Sequence, residues 1–302
     1  MRLRLGTRGS ALAMAQSRMV ADAVERATGA TVELVEIVTK GDVSTAPVQQ
    51  LGVGVFVSAL RDALTAKEID FAVHSYKDLP TAPADGLVIA AIPPREDPRD
   101  ALVARDGLTL TELPPGSRIG TGAARRMSQL AALGLGLEAV PIRGNVDTRI
   151  GKVTSGELDA VILARAGIAR LGRTAEITET LDPMLLLPAP AQGALAVECR
   201  TADLELAEAL RALDDPSTRA AVTAERAMLA ALEAGCSAPV AGLAEVTEDE
   251  EIYLRGAVLS MDGSFAVKLS GTGTLTDAEG VGRRLAAELL AEGANTVLGS
   301  AA

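Results

Sequence analysis

From residue 2 to residue 171, short β-type runs alternate with helical stretches, in two series split by a proline- and charge-rich break. In the first series "LRLGT" (3–7) reads as a strand, and a helix follows from Ser10, a good N-cap. "TVELVEIV" (31–38) is a second strand, "VFVSALRDALTAKE" (55–68) has helical apolar spacing, and "IDFAVHS" (69–75) and "LVIAAI" (87–92) are buried-type strands. The 39–54 segment between them exceeds the usual connection length, which predicts a lid or a disordered segment. After the break "PPREDPRD" (93–100), a candidate hinge, the alternation restarts. It runs through strand 118–121, helix 122–133, strand 138–143, helix 145–155, strand 159–164 and helix 165–171. Such alternation predicts mostly parallel sheets with helices on both faces.

The style then changes. "LPAPAQG" (187–193) is a second break before the strand "ALAVEC" (194–199), and 216–234 is strongly helical. Beyond Cys236, three runs over 240–247, 251–260 and 264–275 read as antiparallel strands, closed by a helix over 277–294. Two similar α/β domains and a smaller α+β domain are therefore expected.

Charge and composition narrow the chemistry. A net charge of −11 argues against a nucleic-acid surface. It leaves room for a local anion site, because screening confines surface fields to about 10 Å. No apolar run approaches the roughly 18 residues of a spanning helix, and no signal peptide is evident. Two cysteines make no disulfide framework and fit a reducing cytoplasm. With one histidine and no His/Cys cluster, no metal site is expected, and carboxylate, Lys, Arg and thiol must carry any chemistry.

Three strand-to-helix junctions carry arginine beside a polar cap: Arg8 with Ser10, Thr121 with Arg125 and Arg126, and Arg143 and Arg149 flanking Asn145. Cations in a first helical turn oppose the macrodipole. Together with free N–H groups they make an anion site, against the plainer reading of a solvated basic face. In open α/β sheets such junctions face the ligand crevice, and arginine forks pair with carboxylate or phosphate. "DFAVHSYKDLPT" (70–81) places Lys77 and Asp78 just after a buried strand, where Asp78 suits acid/base or charge-stabilising work. His74 alone reads as a satisfied structural histidine. Cys236, in "ALEAGCSAPVAG", follows a glycine on a rigid turn and can face a cleft or be an inert small core residue, whereas Cys199 reads as strand packing.

Taken together, "GTRGSALAMAQ", "VTKGD", "DFAVHSYKDLPT", "REDPRDALV", "GTGAARRMSQL", "RGNVDTRI", "LPAPAQGALAVECR" and "AERAMLAALEAGCSAPV" resemble, in order, the motifs of the porphobilinogen deaminase (hydroxymethylbilane synthase) family. The resemblance covers nearly the whole chain; residues 245–302 match mainly by pattern. It implies two type II periplasmic-binding-protein-like domains with the substrate cleft between them, and a smaller α+β third domain. The implied bounds are 1–94 with 193–215, then 98–188, then 216–302, the strand at 194–199 returning to the first domain. It implies a cytoplasmic, monomeric transferase of haem (tetrapyrrole) biosynthesis that condenses four porphobilinogen molecules, with loss of ammonia, onto a dipyrromethane cofactor held by Cys236 through a thioether. Asp78 is the implied catalytic residue. Ser10, Lys77, Thr121, Arg125, Arg126 and Arg143 are the implied cofactor contacts, and Arg8, Phe56, Arg149, Arg170 and Gln192 the implied substrate contacts. The 42–55 loop is the implied lid. Gly122 and Ala123 stand where many relatives carry serines, and Val53 where some carry a lid lysine. A non-catalytic anion-binding protein needs neither Cys236 nor a third domain. A cysteine hydrolase lacks an evident base, because the one histidine lies in another motif.

Overall fold

A computed structural model describes residues 2–38, 57–234 and 238–298 of the 302-residue chain. Strand β1 (Arg2–Thr7) leads into helix α1 (Ala11–Thr28). Ser10 is the N-cap, its side chain accepting from the Ala13 N–H at 3.3 Å, and Gly29 ends the helix in the left-handed region. Val20, Ala21 and Val24 of α1 are buried together at helical spacing. Strand β2 (Thr31–Glu36), helix α2 (Ser58–Thr65), strand β3 (Phe71–Ser75), a 3₁₀ turn Tyr76–Asp78 and strand β4 (Leu87–Ala91) follow. Phe71 to His74 are all buried, which marks β3 as a central strand.

The second series opens with a strand that the periodicity does not predict, β5 (Asp100–Ala104), buried at every position. Then come β6 (Arg118–Thr121), α3 (Ala124–Ala132), β7 (Glu138–Pro141), α4 (Val146–Thr154), β8 (Ala160–Ala164), α5 (Arg165–Arg170) and the two-residue β9 (Glu179–Thr180). Their sheet has the order β7-β6-β8-β5-β9. β6, β7 and β8 are parallel, and β5 runs against both β8 and β9. Strand β10 (Leu195–Arg200) then joins the first sheet between β3 and β4, antiparallel to both, in the order β2-β1-β3-β10-β4. The two sheets thus share one topology, each with a single reversed strand in fourth place. Four strands of each sheet run the same way, as the alternation predicts; the reversal of the fifth is not expected, because it reads in sequence like its parallel neighbours.

Helix α6 (Leu204–Leu210) packs on the first sheet with α1. Helix α7 (Pro216–Ala231) precedes an antiparallel sheet of β11 (Val240–Val246), β12 (Glu251–Leu259) and β13 (Ala266–Thr274), and α8 (Ala278–Leu289) covers it. Gly242 and Gly256 pair across β11 and β12. A Cβ on either would come within 2.6 Å of the Met228 side chain on α7, which rests against both glycines. The chain divides into two compact units, residues 1–96 with 194–219, and residues 97–193 with 220–302. The third sheet therefore belongs to the same unit as the second.

Candidate carboxylate-binding site

In the first unit, the candidate residues sit at the carboxyl ends of β1 and β3. Arg8 follows β1 and is half-buried, and Ser10 is occupied as the α1 cap. Lys77 and Asp78 lie on the 3₁₀ turn after β3, held by the Leu79 N–H donating to the Tyr76 carbonyl at 3.2 Å. Leu79 is buried and anchors the turn, whereas Asp78 is exposed.

His74, four residues earlier, belongs to β3 itself. It is buried, and its Nε2 lies 3.1 Å from Oε2 of Glu198 on β10. Arg61 grips the same carboxylate, Nη2 to Oε1 at 2.8 Å. Burial alone would raise the Glu198 pKa; the hydrogen bonds from His74 and Arg61 outweigh it and hold the group below its ordinary 4.5. A depressed carboxylate stabilises the fold above its unfolded pKa and loses that contribution as pH falls through the folded value. Glu198→Gln should therefore cost about 3 kcal/mol at neutral pH, the price of breaking a buried pair. It should also lose less stability than the parent on acidification below about pH 4.5. Urea unfolding at pH 7 and in acid checks both. Cys199 is inert on the same strand: burial, then the Asp203 charge, pushes its thiol up to about 11.

In the second unit, the candidates gather at the carboxyl ends of β6, β7 and β8. Thr121 ends β6 but does not cap α3: the N-cap is Ala123, which makes no side-chain cap bond, and the Thr121 hydroxyl accepts only the Ala123 N–H at 3.4 Å. Arg125 and Arg126 are neither solvated nor free at a helix end; both are buried. Their partner is Asp100, fully buried at the start of β5, with Arg125 Nη2 on Oδ2 and Arg126 Nη2 on Oδ1, each at 2.8 Å. Arg125 also donates to the Leu187 carbonyl at 2.7 Å, and Arg126 to that of Ile162 at 3.0 Å. Burial would raise the Asp100 pKa, but the two arginines and the Gln192 amide hold it far below the carboxylate range. Gln192 is itself fully buried and donates to Asp100 Oδ1 and the Pro98 carbonyl, both at 2.8 Å.

Two guanidiniums around one carboxylate leave this buried cluster with a net positive charge. Arg143 and Arg149 add to it. Between them the chain turns through Gly144 at φ +108°, where a Cβ would lie 2.7 Å from Thr148, and Asn145 caps α4 by accepting the Thr148 N–H at 2.8 Å. Arg149 donates to the Gly144 carbonyl at 2.8 Å. Burial, with repulsion from Arg126 and Arg143, pushes its pKa down to about 10. The nearby acid Asp147 is taken by Arg173. Arg143 keeps a buried Nη1 that has no hydrogen-bond partner among the described residues. Arg170, at the end of α5, donates to the Gly193 carbonyl at 2.6 Å. Crowded cations with an unmet donor, in a chain of net charge −11, fit an anionic group bearing several carboxylates.

Phe56, Val53, the 42–55 loop and Cys236 lie outside the described residues. Asp100 and Glu198 escape a sequence reading. The only signal for Asp100 is an acid opening a short apolar run directly after Pro98 and Arg99. Among the described residues no group of acids, His and Cys could hold a metal ion, and no helix is long and apolar enough to cross a membrane.

Residues 3–208 match the family model described as porphobilinogen deaminase, dipyromethane cofactor binding domain, and residues 219–291 match the porphobilinogen deaminase C-terminal domain. The chain is 62% identical to the porphobilinogen deaminase of Nocardia farcinica, over 98% of this chain and 88% of that one. It is 58% identical to that of Mycobacterium tuberculosis strain H37Rv, over 98% of each. Similar solved structures include a periplasmic substrate-binding protein of an ABC transporter from Coxiella burnetii, at 14% identity and TM-score 0.45 over 72% of this chain and 94% of that one. On two family models and near-full-length identity above one half, the chain belongs to the porphobilinogen deaminase family.

Proposed function

We propose that this chain is a hydroxymethylbilane synthase, a transferase that joins four porphobilinogen molecules onto a dipyrromethane primer and releases the linear product to water. Each joining step breaks the aminomethyl C–N bond of porphobilinogen, forms a C–C bond, and releases ammonia. Each pyrrole carries an acetate and a propionate, so every unit added brings two more carboxylates. The observation that carries the reading is the positive cluster of Arg126, Arg143 and Arg149, with its unmet Arg143 donor. When bound, the dipyrromethane supplies the pyrrole carbon to which the first new unit is joined. Ser10, Lys77, Thr121, Arg125, Arg126 and Arg143 would hold its carboxylates, with Cys236 as the covalent attachment. Arg8, Phe56, Arg149 and Arg170 would serve the incoming porphobilinogen, and Gln192, fully buried, would serve it through the Asp100 carboxylate to which it donates. Asp78 has the acid/base role, protonating the departing amine and offering negative charge to the positive charge that builds on pyrrole nitrogen. The reaction is assigned to the cytoplasm and to a monomer.

Arg149→Leu tests the carrying observation. It removes a cation that is repelled by its neighbours and that donates to one backbone carbonyl. Thermal stability should hold or rise, while KM for porphobilinogen rises about tenfold or more, the effect of one charged hydrogen bond. Normal cofactor assembly and normal KM would show that Arg149 serves only the helix surface.

A further inference from the structure

The arginine pair is not placed by its own helix. Arg125 and Arg126 open α3, but the atoms that fix their guanidinium ends come from elsewhere. β5 runs against β8, with Asp100 paired to Ala164 at the carboxyl end of β8. That reversal puts the first residue of a strand at the edge where the parallel strands end. Asp100 is fully buried there and divides its two oxygens between the two arginines. Its own pose is fixed by Gln192, whose amide nitrogen reaches both Asp100 Oδ1 and the Pro98 carbonyl at 2.8 Å. Gln192 follows Ala191, a non-glycine residue at φ +60°. The Ala191 N–H donates to Oε2 of Glu225 at 2.5 Å, and Oε1 of the same carboxylate accepts the Ala244 N–H of β11 at 2.7 Å. Glu225 is fully buried on α7. That helix ends at Ala231, five residues before Cys236.

We propose that Asp100 is a positioning residue for carboxylate binding, and that its placement is set through Gln192 and Ala191 from Glu225 on the helix leading to Cys236. Three features go together on this view. A left-handed alanine is tolerated because the Glu225 carboxylate fixes its N–H. A glutamine with no exposure acts through Asp100 rather than on substrate. A surplus guanidinium charge is held ready in one orientation, which lowers the ordering cost of binding an anion. The proposal rests on the carboxylate-binding reading of Arg125 and Arg126.

The test is a double-mutant cycle of Gln192→Met with Arg126→Gln in the full-length protein. Gln192→Met keeps approximate size, and Arg126→Gln, though shorter, leaves Asp100 and Arg125 as a balanced pair. KM and kcat for porphobilinogen are measured, with adduct fraction from intact mass and folding from circular dichroism. Gln192→Met should raise KM about tenfold in the parent, with kcat changed less than about twofold, and change KM less than about twofold once Arg126 is gone. A general packing defect would multiply with the Arg126 effect, and that result, or a fall in kcat alone, overturns the proposal while leaving the carboxylate reading intact. Parent values for KM and adduct fraction in Arg126→Gln alone would overturn both. Should Gln192→Met not fold, Glu225→Gln in the same cycle reads the same link: the amide keeps one acceptor oxygen, so one of the Ala191 and Ala244 bonds is lost. The same non-multiplying KM is expected, and multiplication again overturns the proposal.

Discussion

Asp78→Asn should leave a folded, cofactor-loaded protein whose turnover is at least about 10²-fold below the parent, the usual loss for a positioned acid/base group. Asp78 is exposed on a 3₁₀ turn whose backbone bond and buried Leu79 do not involve its carboxylate. The exchange should therefore cost no more than about 0.5 kcal/mol of stability. The chain has one histidine, and Glu198 holds it in the first sheet, so no imidazole is at hand to replace the carboxylate. Asp78→Glu keeps charge and proton but shifts both by about one methylene. It should retain more activity than the asparagine variant, although a misplacement near 1 Å can itself cost about 10². Product formation is measured per loaded molecule, so that failed priming is not read as failed elongation. An asparagine variant that is fully loaded and elongates like the parent moves the acid/base role to another residue.

Cys236→Ala should fold, carry no adduct and form no product. The chain has two cysteines. Cys199 is fully buried in β10 and its thiol is pushed up to about 11, so at neutral pH it is a protonated core residue and a poor nucleophile. The remaining thiol is Cys236. Described residues before and after it in sequence, Leu232 and Val240 among them, belong to an apolar core that the substitution leaves unchanged. Cys199→Ala is the control and should keep both adduct and activity. Retention of adduct and full activity in Cys236→Ala would end the assignment of that residue.

Much of this was legible in the sequence because strands and helices announce themselves by period. β1, β3, β6, β8 and the three strands of the last sheet fall within two residues of where their apolar patterns place them. What was not legible was direction. β5 is five residues long and sits directly behind a segment whose prolines and charges read as a hinge. β10 reads as a strand, but nothing in its pattern says that it runs backwards between β3 and β4. The same gap hid the state of the arginine pair. A sequence shows two cations at a helix start and leaves open a solvated face. The acid that buries them lies 26 residues upstream of Arg126, and only the reversal of β5 brings it there. Thr121 failed as a cap because β6 runs through it and α3 does not begin until Ala124. His74 is structural, as its place in a buried strand suggests, but its partner Glu198 lies 124 residues away with no local spacing to reveal it.

If a positively charged site in this chain serves a covalently held polycarboxylate primer, the intact mass of the purified full-length protein records that primer. The protein's mass should exceed that of the polypeptide by one dipyrromethane, an excess absent from Cys236→Ala and present in Cys199→Ala. A parent protein that turns over porphobilinogen while its mass equals that of the bare polypeptide would contradict a covalently held primer.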